Sequence, residues 1–170
     1  HTVLPKDRLA ELNEVHAPFR VFQGVELTAW ELQDYLVYGV PWGEVPMPRL
    51  KRIKAQDVLA LAAEHDAAVC LAHPLHKPER DTIDPLFFKR AGWVVDAVEV
   101  ASGYIVLVRP SSIALAVNFG IYNELTMLTG SDAHLPVHMT GLWYNESSKP
   151  ITTDAELVAA IKDPDAWESA

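Results

Sequence analysis

The sequence contains a single cysteine, Cys70, among 170 residues. One thiol excludes an internal disulfide framework and a zinc site built on a Cys-x-x-Cys pair. No apolar run approaches the ~20 residues of a membrane-spanning helix, and the first residues lack the basic and hydrophobic regions of a signal peptide. We therefore expect a cytoplasmic protein with no membrane partner.

Positive charge is also scarce. The chain has 14 Lys and Arg residues against 23 Asp and Glu residues, which gives a formal net charge of −9 and a pI near 5.1. This balance disfavours broad electrostatic capture of nucleic acid, so we expect no long duplex DNA among the partners. It does not exclude an anionic substrate, because bound metal ions offset the acidity locally.

Several enzyme motifs are missing. The chain has no G-x-x-x-x-G-K-[ST] loop, no G-x-G-x-x-G and no G-x-S-x-G elbow, so common nucleotide-binding and serine-hydrolase classes lack support. Cys70 lies within an apolar run, which favours a core position over a nucleophile. No repeat or linker divides the chain, and 49% apolar residues suit one folded domain over residues 1–170.

Hydrophobic patterning predicts strands that alternate with helices. Strands are expected at 25–27, 32–40, 67–72, 97–100 and 125–128. Helices are expected at 6–15, from 56 onward, at 85–91, at 111–119 and from Thr153, where Glu156 completes a capping box. This order predicts an α/β fold with a largely parallel sheet, either open or barrel-like.

Residues that can bind metal follow or end the predicted strands. Glu26 ends the first clear strand, His73 ends the strand at 67–72, and Asp132 and His134 follow the strand at 125–128. Ligand sites form at the carboxyl ends of parallel strands, because the loops converge there. Histidine and carboxylate ligands without thiolates suit hydrolytic Zn, Mn or Fe centres.

Each of these residues has a structural alternative. His73 alone would also fit a hydrogen-bonded loop histidine, and the Asp132–His134 segment would fit a capped turn. Glu26 between two apolar residues needs a metal or a partner if it is buried, or else lies on a solvated face or beside an arginine. Glu99 has similar neighbours, but a half-exposed strand would also explain it, so we rank it below Glu26.

Four segments together resemble one enzyme family. In chain order they are Gly24-Val25-Glu26, Ala72-His73-Pro74, Val98-Glu99-Val100 and Gly130-Ser131-Asp132-Ala133-His134. Their order and spacing are similar to those of the PHP family (polymerase and histidinol phosphatase). The resemblance implies a distorted TIM-like (β/α)7 barrel and a site of two or three metal ions that hydrolyses phosphoesters.

The resemblance also implies roles for individual residues. Glu26 would bridge metal ions, His73 would bind one of them, and Asp132 and His134 would be ligands on the last strand's loop. His1 matches the histidine of the family's Thr-Asp-His motif and would be a further ligand, unless it is the remnant of a purification tag or processing site.

One family feature is absent from the sequence. The family's first strand carries a His-x-His motif, and no such motif occurs here. We therefore expect either a barrel that is incomplete at its N-terminus or a divergent member with an incomplete site, and we favour the incomplete barrel.

The resulting expectation is a metal-dependent phosphoesterase in which metal-activated water attacks the phosphorus. The expected substrate is a small phosphomonoester, a nucleotide or a short oligonucleotide. The candidate residues are the catalytic Glu26, Asp132 and His134 and the phosphate-anchoring Lys77, Arg80 and Arg109. The alternatives are a metal-dependent amidohydrolase and a non-catalytic, metal-poor binding or structural domain. The sequence leaves the substrate, the metal and the oligomeric state open.

Overall fold

The computed structural model describes residues 5–30, 33–42, 53–74, 92, 94–103, 110–134 and 144–167. Five strands in these ranges form one sheet whose spatial order follows the chain. The strands are β1 (Gly24–Thr28), β2 (Asp34–Tyr38), β3 (Ala68–Ala72), β4 (Ala97–Ser102) and β5 (Thr126–Gly130).

The sheet is mixed and open, so the expectation of a TIM-like (β/α)7 barrel is wrong. β1 and β2 pair antiparallel, as do β2 and β3, whereas β3, β4 and β5 run parallel. Only five residues separate β1 from β2, which is too short for the crossover that a parallel pair requires. Within the part of the chain that the structure describes, β1 and β5 stay at the two edges and do not pair.

The described part of the chain contains four α-helices. They are α1 (Lys6–Val15), α2 (Ala55–Glu64), α3 (Ser111–Asn123) and α4 (Asp154–Lys162), and a 3-10 helix follows at Pro164–Ala166. The helices expected at 6–15, from 56, at 111–119 and from Thr153 are confirmed, with small differences at their ends. The helix expected at 85–91 lies outside the described residues. None of the described helices has the length and apolar character that a membrane span requires.

Both faces of the sheet are covered. On one face, Leu27, Leu71 and Val98 pack with Val58 of α2 and Phe119 of α3. On the other face, the core contains Cys70 and Ala97 together with Val158 and Ile161 of α4, so the expected core position of Cys70 is confirmed. The central strands β3 and β4 are therefore buried on both sides, as the uninterrupted apolar run at 67–72 predicts for β3.

Helix α4 is stabilised by hydrogen bonds at both of its ends. Thr153 Oγ1 accepts a hydrogen bond from the Glu156 amide at 3.2 Å, and Glu156 Oε2 accepts one from the Thr153 amide at 3.0 Å. This confirms the capping box. At the other end, Lys162 Nζ donates to the carboxylate and the carbonyl of Asp66, in the turn before β3. The helix is thereby fixed across the face of the sheet that carries Glu26 and Glu99.

Candidate metal centre

Glu26, Asp34 and His73 form a compact group of metal-competent side chains. One ligand atom from each lies within 4.8 Å of the others. Glu26 Oε1 is 3.2 Å from His73 Nε2, and Asp34 Oδ2 is 3.9 Å from His73 Nδ1. Two carboxylates and one imidazole are ligand types that divalent metal ions accept in proteins. The three residues are able to hold a metal ion.

The sheet register explains why these residues meet. Glu26 pairs with Leu36, and Thr28 pairs with Asp34, so Glu26 and Asp34 lie on the same face of the β1–β2 hairpin. Asp34 also pairs with Ala72, the last residue of β3, which places His73 directly beyond it. Three separate segments are thereby brought to one end of the sheet.

Asp34 is the residue of this group that sequence reasoning missed. It fell within the stretch expected to be extended, at 32–40, and carried no role. Its only local signal is a carboxylate at the start of an apolar strand. Its significance depends on the antiparallel pairing with β1 and β3, which the sequence pattern did not specify.

Glu99 is buried, so the alternative of a half-exposed strand, which ranked it below Glu26, is wrong. It is 6% exposed, because β4 lies between β3 and β5 and both faces of the sheet are covered. Its Oε2 atom accepts a hydrogen bond from the backbone amide of His73 at 2.8 Å. Glu99 therefore contacts the backbone of the metal-competent histidine.

The pKa values of Glu99 and His73 are both raised. Burial raises the pKa of Glu99 to about 7, which the hydrogen bond and charge of His73 only partly offset, and the charges of Asp132 and Glu26 raise it further. For His73, burial lowers the pKa, but the hydrogen bond to Glu26 and the charges of Glu99 and Asp34 outweigh it. The site is thus rich in negative charge, and a metal ion bound there would compete with a proton on the imidazole.

The raised pKa of Glu99 predicts a pH-dependent stability in the metal-free protein. A pKa of about 7 in the folded state, against an ordinary value of 4.5, gives stability that is fully present below pH 4.5 and lost as the pH rises through 7. The contribution is about 3 kcal/mol at most. We therefore expect Glu99→Gln to gain stability relative to the wild type as the pH rises from 5 to 8.

Urea unfolding in the presence of a chelator measures this difference at each pH. Glu64→Gln, at an exposed position of α2, is the matched control. It should change the free energy of unfolding by the same amount at every pH. Parallel pH profiles for the wild type and Glu99→Gln would contradict the prediction.

Asp132 and His134 lie in the turn after β5, as expected, but outside the compact group. Asp132 has a φ of 45°, and the negative charge of its carboxylate raises the pKa of Glu99. His134 Nδ1 is 2.9 Å from the Asp132 carbonyl oxygen, and the His134 side chain is 69% exposed. The turn is thus at the same end of the sheet as Glu26 and His73. Metal binding by Asp132 and His134 stays a prediction.

The other predicted site residues fall outside the described residues. These are the metal-ligand candidate His1 and the phosphate-anchoring candidates Lys77, Arg80 and Arg109. Their roles stay predictions.

Two further titratable groups lie on the Glu99 side of the sheet. Burial raises the pKa of the Tyr38 phenol and of the Cys70 thiol, and the charge of Glu99 adds to both shifts. Both residues border a cavity of about 160 Å³, together with Glu99, Leu128 and Trp167. A buried thiol with a raised pKa is a poor nucleophile at neutral pH, so Cys70 is not a candidate nucleophile.

Comparisons with known proteins show a similar fold in a solved structure but identify no family for this chain. No protein-family model matches the chain, and no curated protein matches it. The crystal structure of PsfC from Pseudomonas syringae is similar over 81% of this chain and 55% of that one, at 18% identity and a TM-score of 0.61. A protein described as a "putative metal-dependent phosphoesterase" from Bifidobacterium adolescentis is similar over 66% of this chain and 36% of that one, at 20% identity and a TM-score of 0.40.

The two neighbours differ in what they show. A TM-score of 0.40 is too low to carry an argument, so the description of the Bifidobacterium protein stays with that protein. The chain spans about half the length of PsfC and less than half the length of the second neighbour. The comparison that does carry weight shows that this chain shares an α/β fold with PsfC.

Proposed function

We propose that this protein binds a divalent metal ion through Glu26, Asp34 and His73 and that it hydrolyses phosphoesters with it. The observation that carries the proposal is the convergence of these three donors, from β1, β2 and the end of β3, within 4.8 Å. The negative charges of Glu26, Asp34 and Glu99 all act on the single imidazole of His73, and a divalent cation bound beside it would be stabilised by the same charges.

Each donor would contribute in a specific way. Glu26 and Asp34 supply negative charge to the ion, and Glu26 Oε1 also lies against Nε2 of His73 and orients its ring. A divalent ion bound here would lower the pKa of water and offset the charge of a phosphate. Asp132, at the end of β5, would add a carboxylate to the same end of the sheet, and the exposed His134 imidazole would contact the substrate side.

The resemblance of four short motifs to the PHP family supports phosphoesters as the substrates. The four segments that resemble the PHP family lie on β1, at the end of β3, on β4 and after β5, and three of these elements are neighbours in the sheet. The net charge of −9 favours a small phosphorylated compound or a short oligonucleotide over a long polyanion. Lys77, Arg80 and Arg109 would anchor the phosphate.

Metal binding is the first test of this proposal. The chain, purified without chelator or a metal-charged column, should contain at least about one equivalent of Zn, Mn or Fe by elemental analysis. Asp34→Asn keeps the size of the side chain and removes its charge, so it should lower the affinity for Zn²⁺ at least about 10-fold in calorimetric titrations. Asp57→Asn, at an exposed position of α2, is the matched control and should bind as the wild type does.

Turnover is the second test. The metal-loaded protein should release phosphate from an aryl phosphomonoester, a nucleotide or a short oligonucleotide, and Asp34→Asn should release much less. Hydrolysis of amides but not of phosphoesters would replace the proposal with an amidohydrolase. A wild-type chain that binds neither Zn²⁺ nor Mn²⁺ would contradict the metal site itself.

A further inference from the structure

His73 has a backbone conformation that its surroundings must maintain. Its φ is 25°, in the left-handed region that non-glycine residues rarely adopt. It comes directly after Ala72, the last residue of β3, so no regular strand pairing constrains it. A residue in this conformation persists where neighbouring groups hold it, and such residues cluster at functional sites.

Two side chains hold the peptide groups beside His73. The Gln33 side-chain amide donates a hydrogen bond to the Ala72 carbonyl oxygen at 3.0 Å. The His73 amide itself is buried and donates to Glu99 Oε2 at 2.8 Å. Because a buried amide without an acceptor is unfavourable, the Glu99 carboxylate is well suited to fix this turn.

The other carboxylate oxygen of Glu99 lies against β5. A Cβ atom at Gly130 would collide with Glu99 Oε1, so the absence of a side chain there makes room for the carboxylate. The β4–β5 pairing also shifts register between Glu99 and Ala101, and irregularities of this kind re-aim side chains. The Glu99 carboxylate therefore lies between His73, after the end of β3, and Gly130, the last residue of β5. Gly130 precedes Asp132 by two residues.

We propose that Glu99 is a positioning residue, which holds the His73 imidazole towards Glu26 and Asp34 by accepting the His73 backbone hydrogen bond. Gly130 is the position that leaves space for it. Glu99 is not a member of the group of donors that lie within 4.8 Å of one another among the described residues, and one of its oxygens is already committed to the His73 amide. This inference rests on the metal site of the proposed function and names a residue that supports it.

Glu99→Gln and Glu99→Ala distinguish positioning from direct metal binding. The glutamine carbonyl oxygen can accept the same hydrogen bond, whereas alanine cannot. Titrations with Zn²⁺ or Mn²⁺ should therefore show a loss of affinity of about 10- to 100-fold for Glu99→Ala and at most about 3-fold for Glu99→Gln. An equal loss in both variants, or no loss in Glu99→Ala, would overturn the proposal.

Hydrogen exchange of the His73 amide tests the same contact without metal. In chelator-treated protein, Glu99→Ala should accelerate this exchange about 10-fold or more, and Glu99→Gln should leave it close to the wild-type rate. The Val69 amide is an internal control, because it also donates to a carboxylate, Asp96 Oδ2, at 2.8 Å. Acceleration at both amides would indicate general loosening and would overturn the specific role.

This measurement also separates the two proposals. If the wild type binds no metal, the proposed function fails, and the exchange of the His73 amide still decides whether Glu99 positions the turn. If metal binds and the exchange is unchanged in Glu99→Ala, the positioning role fails while the metal site remains.

Gly130→Ala tests the space that Glu99 occupies. Its added methyl group should displace the carboxylate and lower metal affinity about 10-fold in the wild-type background. In the Glu99→Ala background the same substitution should have little further effect, because the group that it displaces is gone. Equal losses of affinity in the two backgrounds would show that Gly130 acts independently of Glu99 and would contradict this part of the inference.

Discussion

Replacing His73 with alanine should lower the affinity for Zn²⁺ at least about 100-fold, more than the loss of a residue that only supports a ligand. His73 is the one nitrogen donor in the compact group, and its two ring nitrogens face Glu26 and Asp34. Without the imidazole, two carboxylates remain, and they suit harder cations better than Zn²⁺. Calorimetric titration of the chelator-treated protein measures the change.

His16→Ala is the matched control for this experiment. His16 follows α1, and its exposed side chain lies outside the metal-competent group. We expect this variant to bind metal as the wild type does. Similar affinities for His73→Ala and the wild type would show that the metal binds elsewhere, and would contradict the assignment of the site.

Replacing Leu71 with alanine should lower the free energy of unfolding by about 2–5 kcal/mol. Leu71 is 0% exposed, and its register partners on the neighbouring strands are Tyr35 and Val98, both fully buried. Removing three carbons from the centre of this layer loses apolar burial and leaves a cavity that the rigid sheet cannot fill. Urea unfolding of the metal-free protein should show the change as a lower midpoint.

Leu115→Ala, on α3, is the control for this core substitution. Leu115 is 47% exposed, so the same change of side chain should alter stability by no more than about 0.5 kcal/mol. Leu71 lies on the face of the sheet opposite Glu26, and the folded Leu71→Ala protein should therefore keep its metal affinity at low temperature. Equal midpoints for the two variants would contradict the position of Leu71 in the core.

The secondary structure was largely predictable because its signals are local. The helix expected at 6–15 has the same bounds in the structure, and the Thr153–Glu156 capping box marks the start of α4. The strand at 67–72 was recognisable from its unbroken apolar run, which reflects burial on both faces. In each case a few neighbouring residues carry the physical preference.

The arrangement of the strands was not predictable in the same way. Alternating strands and helices indicate an α/β protein, and the structure confirms that class. They do not distinguish an open sheet from a closed barrel, because closure depends on which strands pair at the edges. The short connection between β1 and β2 favours antiparallel pairing, and this hairpin replaces the crossover that a barrel would require there.

The candidate site likewise contains residues that the sequence identified and residues that only the tertiary structure revealed. By itself, the sequence determined that Glu26 lies opposite its apolar neighbours and that His73 follows a buried strand, because side-chain alternation and strand ends are local features. Only the tertiary structure decided that Asp34 joins them and that Glu99 is buried against the His73 backbone. Those contacts join residues that are far apart in the chain, and they depend on strand pairing and on the packing of both sheet faces, neither of which any short segment specifies.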